Sequence, residues 1–155
     1  MSRFNLTRNI YDQIRRTLTT HTPESGGILG GPPGGLITHY YFDATGISRP
    51  DGYIPDVEAV NRMLSEEWMP NGILMLGIVH SHSNGIDVPS CGDIAYGAQI
   101  LAALDTVEEF YLPIVTVENG EFRMASYVLK CNDDGRVMCR AVPITIVDDP
   151  SEMMD

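Results

Sequence analysis

Ile73-Leu74-Met75-Leu76-Gly77-Ile78-Val79 runs without a charge into His80-Ser81-His82, and the reading of this stretch decides the fold. A segment that is apolar apart from one glycine and only this long suits a central strand buried on both faces. Side chains two apart on a strand point the same way, so the strand presents two imidazoles to one point. After the polar, glycine-containing loop 83–89, the segment 90–104 is apolar almost all round (Ile94, Ala95, Ala98, Ile100, Leu101, Ala102, Ala103, Leu104). That pattern predicts a buried helix.

Toward the N-terminus, Asp56 is placed to cap a helix over 56–68, in which Val57, Val60, Leu64 and Trp68 fall at helical spacing, with Pro70 as the stop. Residues 43–55 hold Gly46, Pro50, Gly52 and Pro55 and predict a loop or flap. Before it come a strand over 36–42, a turn over 32–35 and a short strand framed by glycine pairs within 24–31. The first helix is read from Leu6, Ile10, Ile14 and Leu18, four apart, capped by Asn5 and ended before Pro23. Toward the C-terminus, strands over 110–117 and 121–129 are joined by the hairpin signal Asn119-Gly120. A turn over 132–135 and a last strand over 137–147 follow, with Pro143 marking an edge. Helices interleave irregularly with hairpins, so the class is α+β, one mixed sheet flanked by helices. Residues 1–147 make one domain; 148–155 is an acidic tail expected to be disordered.

The 155 residues are the length of one ordinary domain, able to bury roughly 70% of its unfolded surface without staples. Hydrophobic residues at 43% and charged residues at 20% exclude a wholly disordered or fibrous chain. No apolar run approaches the roughly 20 residues of a membrane span, and no signal-peptide core is present, so the expected compartment is the cytoplasm. Ten Lys and Arg against 21 Asp and Glu give a net charge of −11, which repels a nucleic-acid backbone and leaves a neutral or basic protein partner. Three cysteines, Cys91, Cys131 and Cys139, fit neither a disulfide framework nor a C-x-x-C site and read as buried or half-buried free thiols.

Four residues carry the candidate chemistry: His80, His82, Ser90 and Asp93. Two imidazoles and a carboxylate suit zinc, whose catalytic sites use three protein ligands and leave the fourth position to water. The same residues also admit an ordinary reading. An H-x-H can be a solvated pair, and Ser90-x-x-Asp93 at a helix start has the form of a capping box. The two readings are compatible for Asp93, since a cap fixes where its carboxylate points. Two buried imidazoles without a partner would be costly, but spacing alone leaves both readings open.

Glu24, then His80-Ser81-His82, then seven residues, then Ser90-Cys91-Gly92-Asp93 resembles the JAMM metalloprotease motif of the JAB/MPN domain family. The flanking stretches, 23–30 and 77–82, are also similar, and the likeness extends over roughly residues 5–130. The resemblance implies a cytidine-deaminase-like sandwich with one zinc ion and its bound water held by His80, His82 and Asp93. It implies that Glu24 is the general base that takes a proton from that water, and that Ser90 donates a hydrogen bond to the oxyanion. The choice of Glu24 over Glu58, Glu66 or Glu67 comes from the resemblance alone. Two departures stand out: Ser83 replaces the proline that many members carry after the second histidine, and Cys91 lies inside the motif.

The function so implied is a zinc metallopeptidase or isopeptidase that hydrolyses an amide after the Gly-Gly tail of a ubiquitin-like or sulfur-carrier protein. Only residues 105–109 separate the motif helix from the next strand, which excludes the long insertion some deubiquitinases use to select a linkage. The alternative is a non-catalytic MPN-type scaffold, which the intact five residues oppose. A zinc nucleobase deaminase is excluded by the missing Pro-Cys-x-x-Cys signature.

Overall fold

The apolar stretch is the central strand of the molecule. A computed structural model describes residues 2–18, 24–49, 52–83, 85–104 and 107–149. Among the described residues are eleven strands: β1 (Phe4–Thr7), β2 (Gly26–Gly31), β3 (His39–Phe42), β4 (Ile47–Arg49), β5 (Gly52–Ile54), β6 (Leu74–Ser81), β7 (Glu109–Tyr111), β8 (Ile114–Glu118), β9 (Glu121–Cys131), β10 (Val137–Val142) and β11 (Ile144–Val147). Three helices are α1 (Arg8–Leu18), α2 (Val57–Met63) and α3 (Cys91–Ala103). The seven-stranded sheet runs β10-β9-β7-β6-β2-β3, with β8 also pairing β6 and β9. β6 is antiparallel to β2 on one side and parallel to β7 and β8 on the other, so it lies inside the sheet as its composition requires.

A bulge in β6 decides which way the histidines face. Leu29 pairs with Gly77, but Gly30 pairs with Met75, which leaves Leu76 as an extra residue on β6. One extra residue shifts the alternation of every side chain beyond it. Leu74, Leu76 and Val79 therefore pack in one core cluster with Ile10, Ile14 and Leu18 of α1. Ile78 turns to the other cluster, with Val60 and Met63 of α2 and Leu101 of α3. His80 follows Ile78 to the face that α3 covers.

Several elements differ from the sequence expectation. Asn5 and Leu6, read as the cap and the start of the first helix, lie in a strand instead: Phe4 and Leu6 alternate into the core and β1 pairs in parallel with β11. The helix start is held by Thr7 rather than Asn5, its Oγ1 accepting the Ile10 N–H at 3.3 Å. The predicted stop at Pro23 lies outside the described residues. Asp56 does cap α2, accepting the Ala59 N–H at 3.1 Å, but the helix loosens into a π turn at Leu64–Trp68 and a 3-10 turn at Met69–Asn71 that contains Pro70. Inside the flap, β4 and β5 form a small hairpin.

Proline divides two expected strands, because it cannot donate to a ladder. Leu112-Pro113 separates β7 from β8, and Pro143 separates β10, paired with β9, from β11, paired with β1. Asn119 and Gly120 take positive φ of 52° and 77°, the conformation a tight hairpin turn demands. Helix α3 is not buried as its composition predicts; its fully buried residues are Gly97 and Leu101. Its alanines expose little apolar area each, so the helix tolerates an open face, and Tyr96 is exposed there. Residues 150–155 of the predicted tail lie outside the described residues.

Candidate metal centre

The end of β6 is fixed from both sides. The Ser81 N–H donates to the Ser25 carbonyl and the His82 N–H to the Val115 carbonyl, each at 2.9 Å. The Ser25 N–H donates to Ser81 Oγ at 3.1 Å, and Gly26 pairs with His80. The loop that follows brings the start of α3 back over this strand end. Ser90 and Asp93 close a reciprocal capping box: Ser90 Oγ accepts the Asp93 N–H at 3.0 Å, and Asp93 Oδ2 accepts the Ser90 N–H at 2.8 Å. Such a box satisfies two otherwise free backbone donors and orients the carboxylate. The capping reading of Ser90-x-x-Asp93 is thus correct, and the cap delivers Asp93 to the histidines.

His80 Nε2 and His82 Nε2 lie 3.0 Å apart, and each is 3.2 Å from Asp93 Oδ2. Bonds of roughly 2.0–2.1 Å at tetrahedral angles place neighbouring donor atoms about 3.3 Å apart, so this triangle has the dimensions of one face of a zinc site. The proton inventory agrees. His82 Nδ1 is 2.7 Å from the Ile86 carbonyl, which can only accept, so Nδ1 carries the hydrogen and Nε2 of the neutral ring is a bare lone pair. That lone pair faces a second imidazole nitrogen and a carboxylate oxygen, an arrangement that requires a cation or a proton between them. His80 is 5% exposed and the Asp93 side chain 23%, which leaves access from one side.

The electrostatics favour a cation too. Burial raises the Asp93 pKa, but the close approach of the His80 and His82 imidazoles, which donate to the carboxylate whenever Nε2 carries a proton, outweighs it and holds the carboxyl far below its usual range. Asp93 is therefore an anion at any ordinary pH. The hydrogen bond with Asp93 pushes the His82 imidazole up, and the Asp93 and Glu24 charges add to this against the effect of burial.

Glu24, 59 residues before Ser83 in sequence, is 5% exposed and precedes β2. Its Oε2 accepts both the N–H of Ser83 at 3.1 Å and the Ser83 hydroxyl at 3.2 Å. A proline at position 83 would offer neither donor, so the departure from the family pattern gives this chain a two-point hold on Glu24. Cys91 is exposed at the first turn of α3, Cys131 is exposed and Cys139 is half-buried; the expectation of buried or half-buried thiols fails for the first two, which sit at a helix start and a strand end rather than in a core.

The centre opens on a cleft of about 250 Å³ lined by Tyr53, Ile54 and Pro55 of the flap, Ile78, His80, Leu112, and Ser90, Gly92, Asp93 and Tyr96. Sequence reasoning missed Tyr53 and Tyr96: one lies in a turn-rich segment and the other in a helix whose pattern suggested burial all round. Nothing in either local sequence marks a cleft wall.

Comparison with curated proteins gives no match. Among solved structures, the solution structure of protein DSY2949 from Desulfitobacterium hafniense is similar in fold, with a TM-score of 0.62 and 21% identity, over 94% of this chain and 93% of that one. The family model for prokaryotic homologues of the JAB domain matches residues 5–130, a range that includes Glu24, the two histidines and the aspartate of the capping box. The chain belongs to that family of prokaryotic JAB-domain homologues.

Proposed function

We propose that the protein is a zinc-dependent peptidase or isopeptidase, with His80, His82 and Asp93 as metal ligands, Glu24 as general base and Ser90 as oxyanion donor. The convergence of His80 Nε2, His82 Nε2 and Asp93 Oδ2 within 3.0–3.2 Å carries the reading. Zinc held there would lower the pKa of its water to about 7 and polarise the scissile carbonyl. Glu24 is held by Ser83 through Oε2, which leaves Oε1 to take the proton of the attacking water and pass it to the leaving amine. Ser90 uses its oxygen as an acceptor from the Asp93 N–H, so its hydroxyl proton remains available for the developing oxyanion at the cleft wall.

The substrate is an extended tail that ends in small residues, of the Gly-Gly kind found on ubiquitin-like or sulfur-carrier proteins. β5 pairs with β4 alone among the described strands, and its Tyr53 and Ile54 line the cleft. A tail laid along the free edge of β5 would gain main-chain hydrogen bonds. Tyr53, Pro55 and Tyr96 crowd the small cleft, which favours residues without side chains beside the scissile bond. The acidic chain suits a neutral or basic protein partner in the cytoplasm; no described helix is long and apolar enough to cross a membrane. The test is a panel of Gly-Gly-tailed fusions read by mass, with and without chelator. Zinc content near one per chain with chelator-sensitive cleavage is expected. A purified protein without zinc that binds the fusions but never cleaves them would instead indicate a scaffold.

A further inference from the structure

Beyond the groups already used, one buried carboxylate stands beside the cleft. Asp43 follows β3 at the root of the flap and is 3% exposed. Its N–H donates to the Gly26 carbonyl at 3.0 Å and its carbonyl accepts the Gly46 N–H at 3.2 Å, so its backbone is tied to β2 and to a tight turn. Its Oδ2 accepts the Tyr53 hydroxyl at 2.7 Å and the Asp56 N–H at 2.9 Å. Its Oδ1 is buried with no hydrogen-bond partner among the described residues. A buried carboxylate oxygen left without a donor is destabilising, and folded proteins retain few.

The Tyr53 ring occupies the space between this anchor and the metal centre. A Cβ at Gly26 would come within 2.6 Å of Tyr53 Cε2, and one at Gly46 within 2.8 Å of Cε1, so both positions admit only glycine while the ring is there. On its far side the ring stacks with the His80 imidazole, 6.5 Å between centroids and 26° between planes. At the other end of the flap, Asp56 accepts the Thr45 hydroxyl at 2.7 Å and caps α2. The flap is thereby closed at its root, and its inner strand is fastened by one phenol. Burial, then the hydrogen bond with Asp43, pushes the Tyr53 pKa far up, which keeps that phenol a donor.

We propose that Asp43 and Tyr53 are a positioning pair: by holding the Tyr53 hydroxyl, the Asp43 carboxylate latches the β4–β5 hairpin over the cleft and keeps the Tyr53 ring against His80, so that Nε2 stays aimed at the ligand position. The metal half of this statement rests on the function proposed above; the latch itself does not. Partners that orient a ligand without touching the metal typically change affinity 10–100-fold, and a hydrogen bond to a charged acceptor has a comparable effect on a local opening equilibrium.

The experiment measures two quantities on the full chain: amide exchange over 43–56 in the metal-free protein, and zinc affinity by chelator competition. Tyr53→Phe keeps the ring and removes the donor; Asp43→Ala removes the acceptor; Asp43→Asn keeps one oxygen for Tyr53 and Asp56. Tyr53→Phe and Asp43→Ala should raise flap exchange and weaken zinc by about tenfold each, with α1 exchange unchanged, and Asp43→Asn should recover most of both. Wild-type exchange and affinity in Tyr53→Phe would overturn the pair, as would a loss of affinity that only tracks faster exchange in α1. If Asp43→Ala does not fold, Tyr53→Phe decides alone. If the wild type takes up no zinc, the metal reading falls, and the exchange measurement still decides the latch.

Discussion

Replacing Glu24 by Gln separates proton transfer from everything else Glu24 does. Glu24 Oε2 accepts two hydrogen bonds from Ser83, at 3.1 and 3.2 Å, and an amide oxygen can accept both. The change should therefore cost less than about 1 kcal/mol, a fall in Tm of no more than about 4 °C for a domain this size. It removes the base, however, and positioned general bases contribute about 10²–10⁴-fold, which is about 3–5 kcal/mol of barrier. Glu24→Ala is the contrast: it removes the acceptor of both Ser83 hydrogen bonds, and because Ser83 is itself exposed the loss is that of ordinary hydrogen bonds, about 0.5–1.5 kcal/mol each. The assay is cleavage of a Gly-Gly-tailed fusion followed by mass, with zinc content and melting measured on the same samples. Turnover within about threefold of wild type, with zinc retained, would refute the assignment of Glu24. So would equal destabilisation by Gln and Ala, because it would mean that Ser83 does not hold the carboxylate.

Zinc affinity should rise with pH and then level off. His82 is pushed above its ordinary value in the metal-free protein; the raised value stabilises the fold below about pH 6.5 and is lost as pH climbs through the folded pKa. Below that folded pKa a proton on His82 competes with the metal, whereas Asp93, held far down, stays ionised; an affinity flat between about pH 5 and 9 would contradict this. For Ser90, Gly retains most of the helix cap while Ala loses about 1 kcal/mol, yet both remove the hydroxyl, so both should lose about 10²–10³-fold in kcat with only Ala clearly lowering Tm. Leu101→Ala should cost about 2–5 kcal/mol, since Leu101 and Gly97 are the buried residues of α3. Because α3 carries Asp93, metal retention on heating should fall with it, and a melting curve with and without zinc checks both.

The convergence of His80, His82 and Asp93 was legible in part from local spacing, which by itself also allowed a solvated histidine pair and an ordinary helix cap. Two histidines two apart on a strand and a capped aspartate three residues into the next helix are dictated by strand alternation and by the unpaired donors of a helix start. Turn chemistry was equally local, as Asn119-Gly120 and the Asp56 cap confirm. What only tertiary structure decided depends on partners distant in the chain. The extra residue at Leu76 exists because β2 imposes its register on β6, and it turns His80 toward α3. The strand character of Phe4 and Leu6 exists because β11 lies beside them. Composition overstated the burial of α3, since alanine and glycine are as much at home on an open face as in a core. Glu24 meets Ser83, and Asp43 meets Tyr53, across loops whose closure no periodicity records. Sequence pattern encodes which face of an element is apolar; which elements then share that face is settled by long-range packing.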